Sequence, residues 1–169
     1  MKTNVLPAYD YEDNPTGCCA HFHPEGWDNQ TLHLDNKKFV RATTHSLFHI
    51  PLDMGKVFQK TFDAIEGNHA RKPNEFLVMS DDLSAWKAEH LFAVDEDVPG
   101  ADMVTLTGTF MTKVFEGPYK DIPKWMTQLT EFVEEKGKNA LKTYFFFTTC
   151  PKCAKYYGQN YVVGIAEVQ

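Results

Sequence analysis

The stretch Thr112–Trp125, TKVFEGPYKDIPKW, decides how this chain folds, because Thr44–Gly55, THSLFHIPLDMG, is a degenerate echo of it. In each passage a β-rich run leads to a Pro turn and then to an Asp placed to cap an amphipathic helix. The capping residues, Asp53 and Asp121, lie 68 positions apart, the length of one supersecondary unit. Downstream of Asp53, Met54, Val57, Phe58, Phe62 and Ile65 fall at helical spacing, with Gly67 as the stop. Downstream of Asp121, Pro123 suits a first turn, and Ile122, Trp125, Met126, Leu129, Phe132 and Val133 form the apolar face, closed by Gly137.

Strands are expected around these helices. Phe39–Ile50, Phe76–Met79 and Trp86–Val94 surround the first, with a turn at Ser80–Ser84. Met103–Phe115, Leu141–Thr148 and Tyr161–Val168 surround the second, and Thr149–Asn160 reads as a loop within a hairpin. The resulting class is α+β: a strand–helix–strand–strand unit used twice, with antiparallel sheets, two main helices on one side and a cleft between the repeats. The first repeat covers about 39–98 and the second about 102–169. Residues 1–38 form an irregular N-terminal segment, punctuated by Pro7, Pro15, Gly17, Pro24 and Gly26.

Composition narrows the function. The 169 residues suit one domain with a real core. A formal net charge of −6 argues against nucleic acid as a partner, since phosphate binding needs a basic surface. The expected ligand is therefore neutral or cationic. No apolar run is long enough to span a membrane, and a cytoplasmic protein is expected. Oligomeric state stays open. Aromatic residues make up 14% of the chain, which fits an aromatic-lined cavity as well as a dense core.

The segment KVFEGPYKDIPKWMTQLTEFVEEKG resembles the hallmark of GyrI-like proteins, the superfamily of gyrase-inhibitor-like proteins and of the effector-binding domains of multidrug-sensing activators. Gly117, Pro118, Tyr119, Asp121, Ile122 and Pro123 carry the resemblance, which extends over roughly Phe39–Gln169. It implies a stand-alone member that binds a hydrophobic, often cationic, xenobiotic-like molecule between the repeats. Candidate lining residues are Phe48, Trp86, Glu89, Phe92, Phe115, Tyr119, Tyr144 and Phe146. Trp125, on a helix face, reads as core. This chain has Val162 where some relatives carry an acid early in the last strand, and residues 1–38 contain no helix-turn-helix pattern.

Some GyrI-like relatives are thought to hydrolyse reactive small molecules with a carboxylate and aromatic residues. The resemblance thus supplies a second reading, a hydrolase with Glu89 or Glu116 as general base and Tyr119 as hydrogen-bond donor. A third reading is a protein-interaction module of the gyrase-inhibitor-like kind. None of the three requires a cofactor.

Four cysteines form a separate pattern. Cys150-Pro-Lys-Cys153 has the spacing of half a zinc site, and GCCAHFH supplies Cys18 and Cys19 for the other half, with His21 or His23 as an alternative fourth ligand. Such a site would be structural, because four protein ligands leave no open position. The same CPKC resembles a redox motif, but that motif needs a helix behind it. With sixteen residues left after Cys153, a hairpin is expected instead.

Overall fold

The computed structural model describes residues 2–169. Its elements are β1 (Thr31–Leu47), β2 (Ile50–Pro51), α1 (Met54–Gly67), β3 (Val78–Asp82), β4 (Lys87–Val94), β5 (Asp102–Glu116), α2 (Ile122–Glu135), β6 (Ala140–Phe147), α3 (Pro151–Tyr157) and β7 (Tyr161–Val168). Six strands close into an antiparallel ring in the order β1-β4-β3-β6-β7-β5 and back to β1, with β2 as a short flap on β1. The seam between the halves is the long β1–β5 ladder, from Thr31 opposite Met111 to Arg41 opposite Asp102. The other closure is one pair, Ser80 opposite Phe145. Closure leaves almost no free strand edge.

Register decides what each face buries. Val40 pairs with both Phe92 and Met103, so these three share a face. Phe92 meets Phe58 and Phe62 of α1, at ring-centroid distances of 5.1 and 5.2 Å. Two-residue alternation along β5 carries that face from Met103 to Met111 and Phe115, which pack under α2 with Trp125 and Leu129. Both helices therefore lie on one side, the outside of the ring. Gly164 lets α2 come close: a Cβ there would lie 2.9 Å from Phe115 and 3.0 Å from Leu129. The opposite face, with Phe39, Leu91, Phe110, Tyr144, Phe146, Val163 and Ile165, fills the interior.

Several boundaries differ from expectation, each for a physical reason. β1 starts at Thr31 rather than Phe39 because polar residues alternate with Leu32 and Leu34 before a bulge between Leu34 and Lys37. Strand β3 spans Val78–Asp82, so the anticipated turn shifts onto Leu83–Trp86. Asp53 and Asp121 occupy N-cap positions without a capping bond. The Asp53 carboxylate instead accepts from the His45 backbone N–H at 2.7 Å and faces the His45 ring at 3.0 Å. Most consequential, Thr149–Asn160 is not a plain loop. Pro151 opens α3, and the Cys150 side chain caps it by accepting from the Cys153 N–H. Gly158 then leaves it at φ 71°.

The N-terminal segment is irregular but well anchored. Leu6, Tyr9, Ala20, Phe22 and Trp27 all join the main core. Trp27 is 1% exposed, with its ring 5.3 Å from that of Phe146 on β6.

His90 ties β1, β4 and β3 together beneath α1. It is 1% exposed and lies between Thr44 Oγ1 at 2.8 Å and Ser80 Oγ at 2.7 Å. Burial pulls its pKa from the usual 6.5 down to about 4. Between these values the unfolded chain binds a proton that the folded chain refuses. His90 therefore contributes stability that is whole above pH 6.5 and is lost progressively as pH falls to 4. The shift corresponds to about 3 kcal/mol. Denaturant unfolding from pH 7 to 4 should show that decline, and H90Q should flatten it; an equal slope in the variant would rule His90 out as its source.

Candidate metal centre and adjoining cavity

Where the N-terminal segment meets α3, four thiols converge. Tyr157 of α3 donates its hydroxyl to the Cys19 carbonyl at 2.6 Å and stacks on His21 at 4.8 Å. These contacts bring Cys18 and Cys19 to Cys150 and Cys153. All four sulfurs lie within 4.8 Å of one another, and none is in a disulfide. The Cys18 and Cys19 sulfurs are 3.8 Å apart. The edge of a tetrahedron with Zn–S bonds of about 2.3 Å is also about 3.8 Å. Backbone amides point at the sulfurs as well: Cys150 N–H to Cys19 Sγ at 3.4 Å, and Cys153 N–H to Cys150 Sγ at 3.5 Å.

Ionisation fits the same picture. Burial pushes Cys19 well above the usual thiol range, with the neighbouring sulfurs adding to it. Burial acts upward on Cys153 too, but the Thr16 hydroxyl and its Cys19 and Cys150 neighbours outweigh it and bring that thiol down to about 7. Four adjacent thiols resist becoming four thiolates without a cation, and the donor set suits zinc.

His21 and His23, the alternative fourth ligands, turn elsewhere. In the extended run His21-Phe22-His23 the imidazoles share one face while Phe22 buries on the other. Both rings meet Asp13: His21 Nδ1 and His23 Nε2 each lie 3.1 Å from Asp13 Oδ2. His23 Nε2 also approaches Asp10 Oδ2, at 3.9 Å. This group borders a cavity of about 230 Å³ lined by Ala8, Tyr9, Asp10, His21, Phe22, His23 and Trp27. Burial raises the Tyr9 pKa far above its ordinary value, so Tyr9 remains a phenol.

The anticipated ligand residues are dispersed. Phe92 lies under α1, and Phe115 is stacked on Trp125 at 5.6 Å under α2. Tyr144 and Phe146 are buried in the interior. Glu89 is half-buried on β4 opposite Thr43 and Asp81, and Glu116 is exposed at the end of β5. Tyr119 donates to the Thr149 carbonyl at 2.9 Å, next to Cys150, and burial raises its pKa. Phe48 and Trp86 do come together, their rings 5.0 Å apart and 69% and 52% exposed. Sequence reading missed Tyr9, Asp10, Asp13 and Trp27. The alternation in HFH beside the acidic run in YDYED was the available signal.

Comparison with known proteins adds the following. The model of a family described as bacterial hydrolase matches residues 9–168. No curated protein matches the chain. Among solved structures, an uncharacterised conserved protein from Listeria innocua is similar with a TM-score of 0.58 and 10% identity, over 84% of this chain and 92% of that one. A hydrolase from Listeria innocua gives 0.57 and 9% over 84% and 92%. SAV2435, solved bound to tetraphenylphosphonium, gives 0.50 and 15% over 84% and 94%. At these identities the likeness is one of fold.

If the thiols hold zinc, protein purified with it should lose about 5–10 °C in melting temperature on exhaustive chelation, a scale set by about 2–4 °C per kcal/mol for a chain of this size. C150S/C153S should melt at the chelated value and no longer respond to chelator. An unchanged melting curve for zinc-free protein would exclude a structural ion.

Proposed function

This chain belongs to the bacterial hydrolase family, and we propose that it hydrolyses a small, mainly apolar molecule held in the cavity formed by its N-terminal segment. The observation that carries this reading is the adjacency of two unlike surfaces. Tyr9, Phe22 and Trp27 form an aromatic wall, His21 and His23 line the same cavity, and Asp13, outside the lining, pairs with both imidazoles. An aromatic wall binds apolar substrate, and an imidazole–carboxylate group activates water. Volume limits the substrate. Drug-sized ligands need cavities of about 300–1,000 Å³, whereas about 150 Å³ suffices for benzene. At about 230 Å³ the cavity suits a substituted single ring, and an aryl ester or lactone is the matching hydrolysable class.

In this reaction, water activated at the Asp13–His21–His23 group adds to the substrate carbonyl, and the C–O bond to the leaving oxygen breaks. The proton taken from water returns to that oxygen. Tyr9, kept protonated by burial, supplies a phenol hydrogen-bond donor at the cavity wall. The cysteine quartet holds no substrate. With zinc bound, Cys18, Cys19, Cys150 and Cys153 would fix the loop that carries Asp13 and His21.

A second reading draws on the exposed Phe48–Trp86 pair. It lies among exposed Leu47, Ile50, Leu52 and Leu83, and Asp82 sits close by, paired with His49. Aromatic faces beside a carboxylate attract hydrophobic cations. The gyrase-inhibitor-like resemblance and the tetraphenylphosphonium complex of a similar fold support a cationic, hydrophobic ligand as the class to test there.

Two experiments test these readings. Against a panel of phenyl esters and aryl lactones, D13N should lower kcat/KM by about 100-fold or more with an unchanged melting temperature. Equal turnover in D13N, or no turnover by the wild type, would remove the hydrolase reading. Tetraphenylphosphonium should quench the fluorescence of Trp86, because Trp27 and Trp125 are buried. Half-saturation at micromolar concentration, about −8 kcal/mol, is expected, with the response abolished in W86F. Quenching that persists in W86F would move the binding site elsewhere.

A further inference from the structure

We propose that Asp13, His21 and His23 form a second metal site, separate from the cysteine quartet, that takes one divalent first-row transition ion of the zinc type. Three observations converge on it. First, the donor set is two imidazole nitrogens and one carboxylate oxygen, a combination that suits borderline ions and not calcium or magnesium. Second, the ligand atoms are already gathered. His21 Nδ1 and His23 Nε2 each lie 3.1 Å from the same Asp13 oxygen, and the three atoms fall within 4.8 Å of one another. The edge of a tetrahedron with bonds of about 2.05 Å is about 3.3 Å, so the two His–Asp13 separations already match it. Third, three protein ligands leave a coordination position open, and His21 and His23 line the aromatic cavity.

Local structure explains why the group is formed without the ion. The backbone N–H of His21 donates to the Asp13 carbonyl at 2.7 Å, which sets the two passages side by side. His23 has extended backbone, at φ −105° and ψ 102°, so its ring projects on the same side as that of His21. Phe22 between them is buried against Trp27 and Phe146, at 6.3 Å from each, and fixes the strip in rotation. Tyr157 stacks on the His21 ring and limits its swing. Asp10, whose carboxylate is 3.9 Å from the same His23 Nε2, adds negative charge beside the ligand atoms.

The two donor sets divide metals by softness. Four thiolates favour a closed structural zinc, while the N₂O set with an open position suits an ion that carries water. Ion binding displaces protons, so affinity should fall as pH drops. The inference deepens the hydrolase reading by naming how water is activated at that site, but the ion's binding does not depend on turnover.

Cobalt(II) titration of the full chain provides the test. Cobalt in the cysteine quartet gives intense thiolate charge transfer, whereas cobalt on nitrogen and oxygen gives only weak visible bands. The proposal expects one equivalent per chain of the second kind, whether or not the thiols also load. His23 is exposed, so H23A should fold normally, and it should weaken that equivalent by at least about 100-fold. D13N serves as a second variant. Wild-type protein that shows no equivalent free of charge transfer, or one that H23A and D13N both leave intact, would overturn the proposal. Aryl-ester turnover that survives chelation and H23A would also overturn the ion's role while leaving the hydrolase reading standing. An intact second equivalent without turnover would sustain the metal site and sink the hydrolase reading.

Discussion

Burial of Phe22 and Trp27 against Phe146 is the constraint on which the functional end of the molecule rests. Phe146 is on the inner face of β6, and the ring alone does not cover it there. An irregular segment without its own hydrogen-bonded ladder supplies the cover. Burying two large aromatics contributes on the order of several kcal/mol, enough to order a segment that has few internal bonds. Thr112 reinforces the seat by donating its hydroxyl to the Trp27 carbonyl. From that seat the chain must run past α3, which brings the two cysteine pairs together and turns the histidine strip toward Asp13.

Sheet closure and helix placement serve this end. α1 and α2 pack on the outer face of the ring, and the N-terminal segment packs on Phe146 of the inner face. Gly164 allows α2 to sit low enough on β7 and β5 for Trp125 to stack on Phe115. Phe92, Phe115, Tyr144 and Phe146, which would have lined a cleft, are instead consumed in the two cores. The cavity beside the histidine strip draws its walls from residues of the N-terminal segment.

The two clusters that could hold a metal ion share one loop. Thr16 accepts from the Cys18 N–H and donates toward the Cys19 carbonyl, so the backbone between Asp13 and Cys19 is internally braced. Anything that stiffens the thiol quartet also stiffens the approach to Asp13. The helix behind CPKC is real, contrary to the hairpin expected from the sequence, but α3 is seven residues long and its Cys150 caps it while facing the other sulfurs. That arrangement favours a cation over disulfide exchange.

Periodicity along the chain determined the two long helices and most strands, because amphipathic spacing is a local property. β7 spans Tyr161–Val168, the bounds expected for that strand, and the apolar face of α2 carries Trp125, Leu129, Phe132 and Val133 inward. The CPKC and GCC spacings likewise marked the thiols before any geometry was known. Side-chain partners were not legible. Asp53 looks like a cap and serves His45 instead, and Phe92 and Phe115 look like cleft residues and serve the helices. Nor was the role of residues 1–30, since a segment without periodicity takes its conformation from the surface it covers. Only the tertiary structure could place Asp13 beside His21 and His23, and Cys19 beside Cys150. Each depends on distant strands closing into a ring and leaving one aromatic patch to be covered.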